Sequence, residues 1–329
     1  MAARLEAVPA VSIPDLIDLR RISASQLDAL LEDETGEWKK SLDWDFGKSA
    51  ELVRRFVDMR ALSGCALIEA GEAVGYSYFV VEEHKGLIGD LYVRRAWRTV
   101  QNENRLLAAV LEGLVTASQV RRVESQLMMI LPDASRVTPG SEFLTSYQRN
   151  FMLVDFADAP PLADGPAGRR VHVEKWADHH HEGAAQLIAA AYTGHIDSYI
   201  NDQYRSVAGA RRFLYNIVQY PGCGSFFRPG SYVAFDLERG WLCGLSLASI
   251  VGPETGHITQ ICVSPQLRGT GVGYELLRRS LTAMRDHGCR RVSLTVTTAN
   301  REAIELYERI GFRTLRRFSA YVWEDFGRG

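Results

Sequence analysis

Two sets of apolar residues recur at intervals of three and four positions, which predicts two helices, each with one buried face. Their members are Leu106, Leu107, Val110, Leu111 and Leu114 in the first set and Val272, Leu276, Leu277, Leu281 and Met284 in the second. Apolar and β-branched runs on both sides of each helix predict strands. These runs are 16–22, 65–81, a run ending at Val93 and 123–130, and then 171–176, 232–251, a run ending at Val263 and 292–297. Strands that alternate with helices in this way predict a mixed α/β (α+β) sheet.

The two halves of the chain echo each other at a fixed offset. Gly75 and Gly244 lie 169 residues apart within similar strand-like runs, and the pairs Arg121-Arg122 and Arg290-Arg291 keep the same offset. The run from 86 to 93 matches the run from 256 to 263 at an offset of 170. Landmarks that hold one offset within a residue indicate a tandem duplication.

A proline- and glycine-rich segment divides the halves. Residues 155–170 contain three prolines and two glycines, a composition typical of linkers. We therefore predict one domain at 1–154, a linker at 155–170 and a second domain at 171–329.

Composition excludes some classes of function. The 329 residues carry 38 basic and 40 acidic side chains, and this net charge of −2 argues against broad nucleic-acid binding. The five scattered cysteines, including Cys65 and Cys223, predict buried free thiols in a reducing compartment. The first ten residues do not have the pattern of a signal peptide, and no apolar run reaches transmembrane length. These features predict a cytoplasmic protein that does not bind membranes.

The segment from Ile261 to Gly273 predicts a buried strand, a tight turn and the start of a helix. Gly269 and Gly271 lie in this turn, and glycine adopts positive φ angles without strain and has no Cβ to hold a ligand away from the backbone. The first N–H groups of a helix lack partners within it and, together with the helix dipole, bind phosphate. The turn therefore predicts a site for a ligand that carries a diphosphate.

The same turn resembles the signature of a known family. Gln266-Leu267-Arg268-Gly269-Thr270-Gly271 is similar to the Gln/Arg-x-x-Gly-x-Gly/Ala motif of the GNAT acyltransferase superfamily, and Val263-Ser264-Pro265 resembles the strand end before it. Downstream, the Asn300–Phe312 segment resembles the family's Asn…Ala…Leu-Tyr…Gly-Phe segment. Two motifs in order make this match far more specific than one glycine turn. The resemblance covers residues 256–318 directly and reaches the first half only through the repeat.

The resemblance implies two tandem GNAT-like domains, each with a mixed sheet whose central strands part. It implies that acetyl-CoA (CoA) binds in the gap of the second domain, with the pantetheine along the strand and the pyrophosphate on the amides of the turn. The cofactor-binding residues implied are Ile261, Cys262, Val263, Gln266, Arg268, Gly269, Thr270, Gly271, Val272, Gly273 and Asn300.

The resemblance also implies catalytic residues. Tyr307 corresponds to a phenol that protonates the leaving thiolate, although it also fits a core aromatic residue of an amphipathic helix. Many family members place a carboxylate base on the strand before the turn, where this chain has His257, a side chain that titrates near neutral pH. Glu254 is close in sequence and is the other candidate base. The sequence leaves open the choice between these two and a purely structural His257.

The acceptor is expected to be a primary amine of a small molecule or a peptide. In the family, the region corresponding to residues 195–204 lines the acceptor pocket, and here it offers Asp197, Tyr199 and Tyr204 as substrate-binding candidates. A polar surface loop is the other interpretation of this segment. The run 178–181 contains three adjacent histidines, which do not share a helix face, so we expect no metal site there.

The glycine turn is absent from the first half. At an offset of 170, the three glycines correspond to Thr99, Gln101 and Glu103, while Arg98 matches Arg268. Side chains and a carboxylate at these positions would repel a pyrophosphate. We therefore expect a degenerate domain without cofactor, with a structural or acceptor-shaping role.

These observations predict an acetyl-CoA-dependent N-acetyltransferase that works by direct transfer, as a monomer or a homodimer. The alternative is a non-catalytic regulatory protein that binds acyl-CoA. A pair of GNAT folds without any ligand is disfavoured by the intact glycine turn of the second half.

Overall fold

The computed structural model describes residues 13–117, 119–165, 167, 170–220 and 224–326. Residues 1–12, which include the stretch without a signal-peptide pattern, lie outside the described residues, as do Cys223 and part of the predicted linker. Cys65, Cys243, Cys262 and Cys289 are buried free thiols. Among the helices described, none has the length and apolar character needed to cross a bilayer.

The first half follows the predicted order of strands and helices. Its elements are β1 (Asp15–Asp18), α1 (Asp28–Leu42), α2 (Gly47–Asp58), β2 (Ser63–Glu69), β3 (Glu72–Glu82), β4 (Lys85–Val93), α3 (Val100–Val115), β5 (Arg122–Gln126) and β6 (Leu144–Asp155). Strand β1 ends earlier than predicted because the Asp18 carboxylate accepts a hydrogen bond from the Arg20 amide and thereby caps a 3-10 turn.

The second half repeats this order with additional short helices. Its elements are β7 (Val171–Lys175), α4 (His181–Ala191), α5 (Asp197–Ile200), α6 (Val207–Gln219), β8 (Ser225–Phe226), β9 (Tyr232–Asp236), β10 (Leu242–Gly252), β11 (Thr255–Val263), α7 (Val272–Asp286), β12 (Arg291–Thr297), α8 (Arg301–Ile310) and β13 (Arg313–Glu324). Asn300 caps α8 through its side-chain oxygen, and α7 ends just before Gly288, whose φ of +102° is easy only for glycine.

Hydrogen-bond register confirms the tandem duplication. Strands β4 and β5 pair in parallel from Lys85 to Ile88, and β11 and β12 pair in parallel from Thr255 to Ile258. Just beyond each parallel pairing there is a bulge on the other side of the same strand. It lies at Gly89 where β4 pairs with β3, and at Thr259 where β11 pairs with β10. The two halves therefore share a fold down to the position of one bulge.

The halves exchange their last strands. The sheet runs in the order β1-β2-β3-β4-β5-β13-β6-β12-β11-β10-β9-β7, so that β13 completes the sheet of the first half and β6 completes that of the second. Both exchanged strands are antiparallel to their neighbours, and they pair with each other at the centre. One continuous sheet results, and side chains of the first half lie within the second half's sheet.

Helices cover both faces of this sheet. The front face carries Phe151 and His257, and Trp44, between α1 and α2, packs against both of their rings. Helix α4 also covers the front face, where Leu245, Leu247 and other core residues contact it. The back face is covered by α3 in the first half and by α7 and α8 in the second.

Candidate active site

A gap opens in the sheet of the second half between β11 and β12. Their pairing stops at Ile258 and Leu294, and the bulge at Thr259 turns β11 away from its neighbour. The edge of β11 from Thr259 to Val263 therefore faces the gap without a strand partner on that side. Its backbone N–H and C=O groups are available to a ligand that lies along the strand.

The glycine turn after β11 leaves the start of α7 open. Gly271 is the N-cap residue, with a φ of +90°, and no side chain caps the helix. Gly269 has a φ of +74°, and a Cβ built on it would meet only open space. Because these positions leave room beside the unpaired amides, the turn has the shape and charge that a phosphate needs.

A cleft of about 1240 Å³ connects the turn, the gap and helix α8. Among the predicted cofactor-binding residues, those that line it are Ile261, Cys262, Val263, Arg268, Gly269, Thr270, Gly271, Gly273 and Asn300. The structure thus brings the two sequence motifs together around one space.

Two predicted cofactor-binding side chains lie elsewhere. Gln266 is exposed and does not line the cleft, and the side chain of Val272 is fully buried in the core beneath α7. The Arg268 guanidinium lines the cleft but also donates to the backbone oxygen of Ala191, at 2.5 Å. This hydrogen bond ties the turn to the end of α4.

Tyr307 is on α8 and lines the same cleft. It is buried, and this burial raises the pKa of its phenol, with a further increase from the nearby Asp197 carboxylate. A phenol with a raised pKa keeps its proton near neutral pH. Tyr307 is therefore equipped to donate a hydrogen bond or a proton to a group in the cleft.

The two candidate bases predicted from sequence lie outside the cleft. His257 is buried on the front face, where its Nδ1 is 2.9 Å from Ser293 Oγ and its ring packs on Trp44. Burial lowers the pKa of His257 to about 3, as expected for a neutral core histidine. Glu254 is exposed at the far end of β11, 3.6 Å from Arg290. Neither placement suits a proton acceptor at the gap.

His195, which we did not select from the sequence as a base, lines the cleft. Its Nδ1 is 3.2 Å from the backbone nitrogen of Asp197, and its Nε2 is 3.4 Å from Nδ2 of Asn300. Burial lowers the pKa of His195, so the ring is neutral near pH 7. The signal in the sequence was its place at the head of the predicted acceptor segment.

The predicted acceptor residues are spread over the front side of the gap. Asp197 accepts a hydrogen bond from the hydroxyl of Thr297, at the end of β12. Tyr204 stacks on Tyr192, with its hydroxyl 3.4 Å from Gln260 on β11. Tyr199, in contrast, is half exposed and stacks against Arg205, away from the cleft residues.

A charged cluster of the first half holds this acceptor segment. Lys85 Nζ lies 2.6 Å from Asp202 and 3.4 Å from Glu124, whose other oxygen accepts the Asp202 amide at 3.0 Å. Arg122 donates to the backbone oxygen of Tyr199 at 2.5 Å. These contacts join the ends of β4 and β5 to the segment between α5 and α6.

The corresponding turn of the first half is closed by its own side chains. Thr99 accepts a hydrogen bond from the Asn102 amide at 3.1 Å and so caps α3. Glu103 is buried, forms an ion pair with Arg136 and accepts the amide of Leu131. The segment 147–151 resembles 307–312 in sequence but not in structure, because Tyr147 lies on strand β6 and Tyr307 on a helix.

The histidine run differs from its predicted geometry. Residues 178–180 form a 3-10 turn in which His179 and His180 do approach each other, and ring nitrogens of both lie within 4.8 Å of a Glu174 oxygen. Nδ1 of His180 accepts the Ala177 amide at 3.0 Å, which leaves the proton on Nε2, facing Glu174 at 2.7 Å. Both ring nitrogens thus have partners, and the expected absence of a metal remains a prediction.

Comparison with known proteins agrees with this geometry. A family model described as the acetyltransferase (GNAT) family matches residues 196–312, which span the acceptor segment, the glycine turn and α8. Residues 196–312 therefore belong to the GNAT superfamily. The match lies in the second half, as the two sequence motifs predicted.

Relatives and solved structures extend the similarity. An uncharacterized N-acetyltransferase of Methanocaldococcus jannaschii is 34% identical over 132 residues, which cover 39% of this chain and 54% of that protein. The match spans about half the length of this relative and a smaller share of some other curated relatives. A GCN5-related N-acetyltransferase from Sphaerobacter thermophilus has the same fold, with a TM-score of 0.68, 17% identity and coverage of 95% of this chain and 97% of that one. A tandem GNAT protein from the clavulanic acid biosynthesis pathway also matches, with a TM-score of 0.56, 18% identity and coverage of 96% and 99%.

Proposed function

We propose that this GNAT chain is an N-acetyltransferase that moves an acetyl group from acetyl-CoA to a primary amine by direct transfer. One observation carries the proposal: a single cleft runs from an uncapped helix start at Gly271 to a buried phenol at Tyr307. Relatives named N-acetyltransferases support the same class of reaction. In this proposal the second half, 171–329, performs the chemistry and the first half, 1–154, carries no cofactor.

Binding of acetyl-CoA uses backbone groups of the glycine turn and of β11. The amides at the start of α7 bind the pyrophosphate, where Gly269 and Gly271 leave space. The unpaired edge of β11 from Thr259 to Val263 holds the pantetheine as an added strand would be held. A backbone N–H of this edge also stabilises the negative charge that develops on the thioester oxygen during transfer.

Transfer forms a C–N bond and breaks the C–S bond. The lone pair of the neutral amine attacks the acetyl carbonyl carbon, the thiolate of CoA leaves, and the nitrogen loses one proton. The phenol of Tyr307, which its raised pKa keeps protonated, donates a hydrogen bond to the leaving thiolate. The proton released by nitrogen passes to a base in the cleft, and the thiolate takes its proton from solvent.

His195 is the base that we propose in place of His257 and Glu254. It lines the cleft, and its lowered pKa keeps the ring neutral. Because Nδ1 accepts the Asp197 amide and Nε2 then carries the proton, Nδ1 takes the proton of the amine, directly or through one water molecule, as it releases that amide. Asp197 contributes its backbone N–H to the orientation of the ring and its carboxylate to the acceptor side, where Tyr204 is also located.

The experiment that tests the function follows CoA thiol release from acetyl-CoA across a panel of amines. We expect amine-dependent release that falls about tenfold or more in Tyr307→Phe, which removes only the hydroxyl. Tyr321→Phe is the matched control, because it removes the hydroxyl of a buried tyrosine that packs in the core of the first half and does not line the cleft. Binding of CoA without release for any amine would instead support the non-catalytic regulatory alternative.

A further inference from the structure

The exchanged strand β6 places an arginine of the first half in the sheet of the second. Arg149 pairs directly with Thr297 at the end of β12, and paired residues of neighbouring strands point to the same face of a sheet. Thr297 in turn donates to Asp197, one of the acceptor candidates. The side chain of Arg149 therefore lies on the front face, one strand away from the gap.

The guanidinium of Arg149 has neutral partners only. Its Nη1 is 2.9 Å from the side-chain oxygen of Gln126, and its Nη2 is 3.3 Å from the hydroxyl of Thr295. Its Nε is shielded from solvent and has no hydrogen-bond partner. Within the part of the chain that the structure describes, no carboxylate lies within 4 Å of this group.

A half-buried positive charge without a counter-ion is costly unless a ligand supplies one. Protonated guanidinium presents parallel N–H donors that match the two oxygens of a carboxylate. The unpaired Nε provides one such donor and the remaining N–H groups of the fork provide the second.

The charge of Arg149 acts on the groups around the gap. Burial is the main influence on the pKa of Tyr307 and of His257, and in both the positive charge of Arg149 contributes a decrease. Burial likewise dominates the raised pKa of Tyr204, which Arg149 partly offsets. The guanidinium is thus electrostatically close to the phenol on α8 although it belongs to the other half of the chain.

We propose that Arg149 binds a carboxylate of the acceptor, so that the substrate is an amino acid whose amine enters the gap beside Thr297. This inference rests on the proposed function and names its substrate class. Neighbouring strands lie about 4.8 Å apart, so a short amino acid can reach from one position to the other. The first half then contributes a specificity residue through strand exchange.

Two pairs of acceptors that differ by one carboxylate test the proposal: tyrosine against tyramine, and lysine against cadaverine. A third pair, phosphoethanolamine against ethanolamine, tests whether the site prefers a phosphate instead. We expect a kcat/KM for the amino acid about 100-fold above that for its decarboxylated partner, and loss of this preference in Arg149→Met, mainly through KM. Arg149→Lys should restore part of it, because a point charge replaces the fork. Arg317→Met is the control, since Arg317 pairs with Asn150 on the opposite face.

Equal rates for the members of each pair would overturn the proposal while leaving the acetyltransferase function intact, and so would preference for the phosphate. Absence of acetyl-CoA binding would instead refute the function itself. Thermal unfolding gives a readout without turnover: tyrosine should raise the melting temperature more than tyramine in the wild type but not in Arg149→Met. No shift of the melting temperature with any amino acid would contradict the proposal. A melting temperature several degrees lower in unliganded Arg149→Met would also contradict it, because it would mark Arg149 as a structural residue.

Discussion

The ammonium of Lys85 lies 2.6 Å from the carboxylate of Asp202, and 117 residues separate the two. Lys85 begins β4 in the first half, and Asp202 belongs to the acceptor segment of the second half. Glu124 shares the same ammonium at 3.4 Å. The first half, which has lost the glycine turn, is therefore attached to the segment that is expected to meet the amine.

Replacing Lys85 by methionine tests this attachment. The change removes one of the two cations beside the buried Glu124, and the other, Arg122, stays 2.6 Å away. We expect the free energy of unfolding to fall by about 1–3 kcal/mol, less than for a fully buried pair, because Arg122 remains and Asp202 is partly exposed. The acceptor KM should rise while acetyl-CoA affinity stays constant, because the cleft residues are untouched. Urea titration and steady-state kinetics measure both effects. A weakened affinity for acetyl-CoA would show that the cluster supports the whole cleft instead.

Substitution of His257 by phenylalanine tests the correction of the predicted base. The ring packs on Trp44 and Phe151, so phenylalanine should fill the space and cost about 1–2 kcal/mol for the lost hydrogen bond to Ser293. Acetyl transfer at pH 7 should stay within a few-fold of the wild type. A loss of 100-fold or more in kcat for a folded variant would return His257 to the mechanism.

Two buried carboxyl groups in the first half predict a pH-dependent stability. Glu34 accepts hydrogen bonds from Trp38 at 3.1 Å and Tyr76 at 2.9 Å, and burial together with the charge of Asp90 raises its pKa. Burial also raises the pKa of Asp90 to about 6. A raised carboxyl pKa means that the folded state binds protons more tightly than the unfolded state. The contribution of these two groups to the free energy of unfolding is then fully present below the ordinary carboxyl pKa, and it is lost as pH rises through their pKa in the folded state.

We therefore expect the wild type to lose on the order of 2–3 kcal/mol more unfolding free energy than Glu34→Gln between pH 5 and pH 8. The lowered pKa of His257 makes stability fall as pH falls, because protonation then favours the unfolded state. This contribution is the same in both proteins, so it cancels when they are compared. Urea titrations at several pH values measure the difference. Parallel curves for the two proteins would contradict the account.

Much of the fold could be predicted because the repeat carries local information. The offset of 169 to 170 residues located the corresponding strands, and the same offset relates the bulges at Gly89 and Thr259. The strand exchange could not be predicted. Strands β6 and β13 follow β5 and β12 in their own halves, and either pairing would satisfy the same alternation of side chains.

The glycine turn and α8 were predictable for a similar reason, since helix caps and tight turns depend on neighbouring residues. The burial of His257 depends on Trp44, which lies more than 200 residues away in the sequence and packs against its ring on the front face. Arg149 lies beside Thr297 in the sheet of the second half only because of the strand exchange. Contacts between distant segments thus decide which side chains reach the site, and a single sequence does not display them.

In the proposed function, the unpaired amides at the start of α7 bind the pyrophosphate of acetyl-CoA. Calorimetric titration with acetyl-CoA tests it most directly in the wild type, in Gly271→Glu and in Gly240→Glu. Gly240 is the matched control because it also has a positive φ, +69°, but lies on an exposed turn before β10. We predict saturable binding for the wild type and the control, and none for Gly271→Glu, whose carboxylate would meet the phosphates. A flat titration of the wild type at millimolar ligand, or unchanged binding by Gly271→Glu, would contradict the claim.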